Sequence, residues 1–248
     1  MKEFKGPTRR DLLTGTLALF AVKRASAASR RMAPQHWIDQ QQELADALAT
    51  GQIQPTAWCE EVEGLARQVN LPALLAAAKA SAEEAKQGEA GNDPQKRVVR
   101  FIDASGKPQR LGFGVALIDF QPQNVITPRG HRNMVSAHLV LEGKVRIRTF
   151  DRVRDDKNAM VIKPAGDVVA GPGQISTMCS ERHNVHWLVP QDGPATTLQI
   201  IIDGLSSKGT RSEVIALDPI GGRILKDGSI VAPVMSLDAA GAKYTSEL

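Results

Sequence analysis

Cysteine is nearly missing from this chain, with only Cys59 and Cys179 among 248 residues. So few exclude a disulfide-framed scaffold and leave apolar burial to hold the core. In an oxidising compartment the two could form one bridge that pins amino-terminal helices to the rest, or remain as two buried thiols. The sequence leaves both open. Aromatic residues make up only 4% of the chain, and no basic stripe studded with aromatics is present, so a nucleic-acid partner is not expected. No apolar run, the amino-terminal one included, reaches the roughly 20 residues that a spanning helix needs, and no stable membrane span is expected. Tyr244, the one tyrosine, lies far along the carboxyl tail and receives no catalytic part. No internal repeat is evident.

What is present begins with an ordered set of signals. Thr8-Arg9-Arg10-Asp11-Leu12-Leu13 leads into a weakly apolar run from Leu12 to Val22, broken by Thr14, Gly15 and Thr16 and followed by Lys23 and Arg24. Ala25-Ser26-Ala27 then offers the small residues of a cleavage site. The order resembles a twin-arginine export signal, with Leu12 and Thr14 standing where Phe and Lys are usual. That resemblance implies removal of residues 1–27, transport by the twin-arginine machinery and a periplasmic location. Removal takes six basic and two acidic residues from totals of 31 and 27, leaving 25 of each sign. The net charge of +4 therefore belongs to the discarded segment and says nothing about partners of the mature protein.

Residues 28–95 read as a helical segment. Trp58, Val62, Leu65 and Val69 repeat at helical spacing on one face, and Asn70 followed by Pro72 suits a cap and first-turn proline for the next helix. Lys86 to Lys96, with Gly88, Gly91 and Pro94, reads as a linker. From residue 96 to 248 the period shortens. Val98–Ile102, Leu111–Phe120, His138–Glu142, Val145–Phe150, Met160–Ile162, Ile175–Met178, Val185–Val189 and Thr197–Ile202 are β-branched or aromatic runs separated by Gly, Pro, Asn and Asp. This mainly β pattern, without intervening helices, predicts a closed sandwich or jelly roll. Leu205 to Arg211 reads as a polar loop. Ile224 to Met235 adds one or two hairpin strands that either extend the barrel or join two copies in a homodimer.

Four of the five histidines, His131, His138, His183 and His186, fall within the β region. Imidazoles aimed into a small barrel are the parts of a transition-metal site. Ile126-Thr127-Pro128-Arg129-Gly130-His131 followed by Leu139-Val140-Leu141-Glu142-Gly143 resembles the first motif of the cupins. There a loop histidine enters the barrel just before a strand that ends in a glycine turn. Gly171-Pro172-Gly173, Asn184-Val185-His186 and the strand Thr197–Ile202 resemble the second motif. The spacing from His131 to Gly143, and Asp151 beyond the next strand, are similar to the thiol dioxygenase branch, the cysteine and cysteamine dioxygenase-like cupins. The likeness covers roughly residues 97–205 and implies a cupin-type double-stranded β-helix with an N-terminal helical segment.

The chain departs from that branch at one position. His-x-His becomes Arg129-Gly130-His131, and a guanidinium has no lone pair for a metal. Ser136 and Ala137 also replace the usual glutamate stretch. His131 and His186 are the surviving ligands, and the third comes from His138, which alternation places on the same strand face as Ser136, or from His183 in the loop before His186. The metal the resemblance implies is Fe(II), with other divalent transition metals open. Arg100 reads as a carboxylate anchor or a solvated strand arginine, and Arg129 could also hold a substrate carboxylate.

Three function classes stay in play. One is an exported metal-dependent oxygenase acting on a small thiol or acid. Another is a metal-free periplasmic cupin that binds a small anion. The last is an isomerase or epimerase using histidine as acid and base.

Overall fold

The computed structural model describes residues 31–84, 92–205 and 212–245. The export-signal residues, most of the expected linker and the loop 206–211 lie outside them. Residues 32–248 form one compact unit. Three helices come first: α1 (Pro34–Ala49), α2 (Pro55–Ala66) and α3 (Leu71–Ala80). Each carries proline in its first turn, where the missing N–H costs no helical bond. Asn70 caps α3, its side chain accepting from the Ala73 amide at 3.2 Å.

The strands are β1 (Gln95–Val98), β2 (Gly114–Phe120), β3 (Ile126–Arg132), β4 (Met134–Asp156), β5 (Ala159–Ala170), β6 (Ile175–Met178), β7 (Val185–Asp203), β8 (Glu213–Leu217), β9 (Arg223–Ile224) and β10 (Ile230–Met235), followed by α4 (Leu237–Thr245). All their pairings are antiparallel. The order runs β1-β2-β7-β3-β8-β10-β5-β4-β6, and β7 also pairs with β4, closing the path into a ring. The protein is thus mainly β, a double-stranded β-helix jelly roll with helices at its amino end, as the sequence predicts. The carboxyl strands serve the barrel, since β8 and β10 complete the ring.

Two long strands organise the fold. The first part of β4 pairs with β6 and the end of β7, whereas its second part pairs with β5 and the start of β7. Within β4, Val135, Ala137, Leu139 and Leu141 join Leu198, Ile200 and Ile202 of β7 in one core with Trp37, Trp58, Val62, Leu65 and Leu74 of the helices. The intervening side chains face away from the helices, toward the barrel interior. Both faces are therefore buried, and hydrophobic runs replace the alternation of a half-solvated sheet.

Several boundaries differ from the sequence reading, for physical reasons. The segment containing Pro128 was expected as a loop but is strand β3; its register shifts between Ile126 and Arg129, the kind of irregularity that accommodates a proline. His138–Glu142 and Val145–Phe150 are one strand that bends at Gly143. There φ is +71°, and a Cβ would stand 2.4 Å from the Pro194 carbonyl oxygen, so only glycine fits. Gly143→Ala is expected to lower stability by about 2–4 kcal/mol, read from urea unfolding. An unchanged midpoint would show that the bend tolerates a side chain.

Helix α4 has no counterpart in the sequence reading. It buries Tyr244 edge-on against Trp187, ring centroids 4.9 Å apart, while the phenol donates to Asp218 Oδ1 at 2.8 Å. The lone tyrosine is a packing residue at the barrel wall.

Candidate functional site

Three of the four clustered histidines meet. His131 comes from β3, His138 from β4 and His186 from β7. The His131 and His186 ring centroids are 4.9 Å apart, and those of His138 and His186 are 5.8 Å apart. All three line a cavity of about 320 Å³, together with Lys96, Ile126, Arg129, Met134, Gln199, Ile201, Asp203, Ser212 and Val214. Register explains the convergence. His186 lies opposite Arg129 of β3 and Thr149 of β4, whereas His138 lies between Ser176 of β6 and Gln199 of β7. The two long strands thus carry residues distant in sequence around one interior.

Burial keeps these imidazoles neutral. It holds His131 down to about 4, with the Arg129 charge adding to the effect. His138 is pushed down to about 3 by burial, then by His131, Arg129 and Lys96, and His186 lies well below the ordinary value through burial, His131, His138 and Arg129. The unfolded chain therefore binds protons that the folded chain refuses. For His131 the contribution is fully present above pH 6.5 and is lost as pH falls toward about 4. It amounts to roughly 3 kcal/mol, each pH unit of that interval being worth about 1.4 kcal/mol. Chelator-treated protein should thus unfold at progressively lower urea as pH drops through this window. A midpoint that stays constant from neutral pH to about pH 4.5 contradicts neutral buried histidines.

Nitrogen lone pairs remain for a ligand. The Nδ1 atoms of His131 and His186 are buried without a hydrogen-bond partner. His138 Nδ1 lies 3.1 Å from Thr197 Oγ1, and its Nε2 lies 3.5 Å from Gln199 Nε2. With Thr197 accepting from Nδ1–H, His138 Nε2 accepts from the Gln199 amide, which a metal at that nitrogen would have to displace. Neutral imidazoles with unpartnered nitrogens fit a divalent transition metal in donor chemistry. Among the described residues, however, no group of three or more His, Cys, Asp or Glu side chains is already spaced to hold an ion.

The remaining sequence candidates fall elsewhere or are engaged. His183 is not in the cluster. Its backbone takes a left-handed turn, φ +51°, its amide donates to Asp151 Oδ1 at 2.8 Å, and it lines a separate cavity with Glu63, Thr149, Ser176 and Thr177. The loop geometry directs it away from its neighbour three residues on. Arg100 is also absent from the histidine cavity and pairs at the surface with Glu83; β1 ends at Val98, before this residue. Arg129 does line the cavity, but its fork is taken. It donates to Asp93 at 2.6 and 3.1 Å and to Thr127 Oγ1 at 3.0 Å, so a substrate carboxylate would have to displace Asp93.

Four residues at or beside the cavity escaped the sequence reading. Asp93, the buried counter-ion, and Lys96, on the cavity wall, both come from the segment read as a linker. Gln199 and Asp203 sit in a strand that composition marks only as core. For Gln199 a signal existed: a polar residue between the buried Leu198 and Ile200 faces the side opposite the helices.

The cysteines are unbridged and buried. No helix among the described residues is long and apolar enough to cross a membrane.

No known family profile matches the chain, and no curated protein matches it. Similar solved structures include a 7S globulin of Momordica charantia at 18% identity and TM-score 0.38, covering 56% of this chain and 36% of that one. An oxalate oxidase is similar at 17% identity and TM-score 0.33, over 48% and 56% of the two chains. A Klebsiella pneumoniae protein with a double-stranded β-helix domain is similar at 11% identity and TM-score 0.35, over 55% and 92%. The chain spans about a third of the globulin and just over half of the oxalate oxidase.

Proposed function

We propose that this chain is an exported cupin whose barrel binds a divalent transition metal, Fe(II) first among them, and oxygenates a small thiol or acid. The observation that carries this reading is the meeting of three buried, neutral imidazoles from separate strands in one cavity, two with unpartnered Nδ1 atoms. His131, His138 and His186 would hold the metal. The chemistry it supplies when bound is acidification of a substrate thiol and its juxtaposition with dioxygen.

The chain's own residues supply orientation and charge. Thr197 fixes the His138 ring through Nδ1, as outer partners of ligating imidazoles commonly do. Lys96 places an ammonium at the cavity wall, in no salt bridge among the described residues, and takes the anion-anchoring part that Arg100 and Arg129 do not perform. Imidazoles held near pH 3–4 are poorly matched to acid and base work at neutral pH, which weighs against an isomerase.

A metal-free binder of small anions is the second reading, favoured by the absence of ready metal spacing among the described residues and by Lys96. Anaerobic reconstitution with Fe(II), followed by metal analysis, separates the two. About one bound ion per chain, and oxygen uptake on adding small thiols, supports the oxygenase. A barrel that stays metal-free rejects it and leaves anion binding, read by calorimetric titration with small carboxylates.

Export rests on the Arg9-Arg10 pair and the Ala25-Ser26-Ala27 box. Replacing both arginines by lysine is expected to strand the protein in the cytoplasm, as cell fractionation would show; undiminished periplasmic protein refutes the assigned route.

A further inference from the structure

A second cavity of about 190 Å³ opens into the barrel interior, lined by Ile147 and Thr149 of β4, Gly166, Val168 and Ala170 of β5 and Ser176 of β6, among others. Register places it across the histidines from the first. In one row Ser176 of β6, His138 of β4 and Gln199 of β7 lie side by side; in another, Gly166 of β5, Thr149 of β4, His186 of β7 and Arg129 of β3 do so. Residues paired across neighbouring strands project to the same face, about 5 Å apart, so each row looks into one interior. Ser176, Thr149 and Gly166 line the second cavity, whereas Gln199 and Arg129 line the first. His138 and His186 therefore stand between the two.

The two sides differ in charge. Lys96 and Arg129 line the histidine cavity, but neither lysine nor arginine lines the second. Its one carboxylate, that of Glu63, accepts from the Thr177 hydroxyl and the Arg182 guanidinium. Much of the remaining wall is apolar: Ile147 and Ala170 are 2% and 3% exposed, and Val168, 57% exposed, marks the mouth. Such a wall takes up small uncharged molecules, as apolar cavities take up xenon, and gives no purchase to the anion that Lys96 attracts.

We propose that this second cavity is the side from which dioxygen reaches the histidine centre, leaving the Lys96 side to the anionic substrate. The inference rests on the oxygenase reading and gives its second reactant a separate entrance. Thr149 and Ser176, the last residues before His186 and His138 in their rows, are both small. Dioxygen can thus arrive after the first cavity is filled.

The test begins with metal-free protein, so that its first readout does not depend on turnover. Under dissolved dioxygen, NMR relaxation of the methyl groups of Ile147 and Ala170 should be enhanced about twofold or more over that of Leu198, which is also buried but packs in the core with the helices. Val168→Trp, a change at a half-exposed position that closes the mouth, should remove the difference. In Fe(II)-loaded protein the same variant should raise the KM for dioxygen about tenfold, with the KM for the thiol and the affinity for Co(II) unchanged. Equal relaxation at Ile147, Ala170 and Leu198 overturns the proposal, as does an unchanged dioxygen KM in a variant whose relaxation difference is gone. Enhancement confined to Ile126, in the first cavity, assigns dioxygen to the Lys96 side and overturns it equally. Protein that takes up dioxygen at Ile147 and Ala170 but oxidises no thiol upholds the cavity as a dioxygen site and refutes the oxygenase reading, so the two failures are distinguished.

Discussion

His186→Ala is expected to lower affinity for Co(II), used as an air-stable stand-in for Fe(II), by at least about 100-fold. His186 is the common neighbour of the trio, 4.9 Å from the His131 ring and 5.8 Å from that of His138 between centroids. Its loss leaves no connected set of three nitrogens. His183→Ala serves as the control, because that residue lines another cavity and its removal should leave affinity unchanged. Titration of the metal-free protein, followed by the visible absorption of bound Co(II), reads both variants. Full affinity in His186→Ala, or its loss in His183→Ala, would dismantle the assigned ligand set.

Removing Asp93 should be the most damaging single change to the fold at this site. Arg129 and Asp93 are joined by two hydrogen bonds with side chains only 8% and 6% exposed. A buried ion pair contributes little net stability against a well-packed apolar pair, but removing one partner strands a charge in the interior. Asp93→Ala is therefore expected to cost about 3–5 kcal/mol in urea unfolding. Arg129→Met combined with Asp93→Leu should recover most of that loss, since neither charge is then buried alone. A double variant as unstable as Asp93→Ala would assign the cost to packing and not to the unpaired guanidinium.

The linker reading failed at Asp93 and Lys96 for one reason. Glycine, proline and charge mark a segment that does not build its own regular structure, but they say nothing about which side chains turn inward at its end. Similarly, the cupin resemblance implied that His131 enters the barrel from a loop, whereas the ladder takes in residues 126–132 with a register shift between Ile126 and Arg129. His138 succeeded because period-two alternation is a local property that a strand carries into any sheet. His183 was undecidable because a loop residue obeys no such period, and its left-handed turn held by Asp151 is a tertiary arrangement.

The sequence by itself determined the class of fold, the helical segment before it and the strand face of His138, because hydrophobic period, capping residues and turn residues act over a few positions. It also marked the four histidines worth following. Only the tertiary structure decided that three of them share a cavity, that Arg129 is neutralised by Asp93, and that two cysteines 120 positions apart in numbering belong to one core. Those outcomes depend on how β4 and β7 bend and pair as the sheet closes, and register between distant strands is set by the closed ring as a whole.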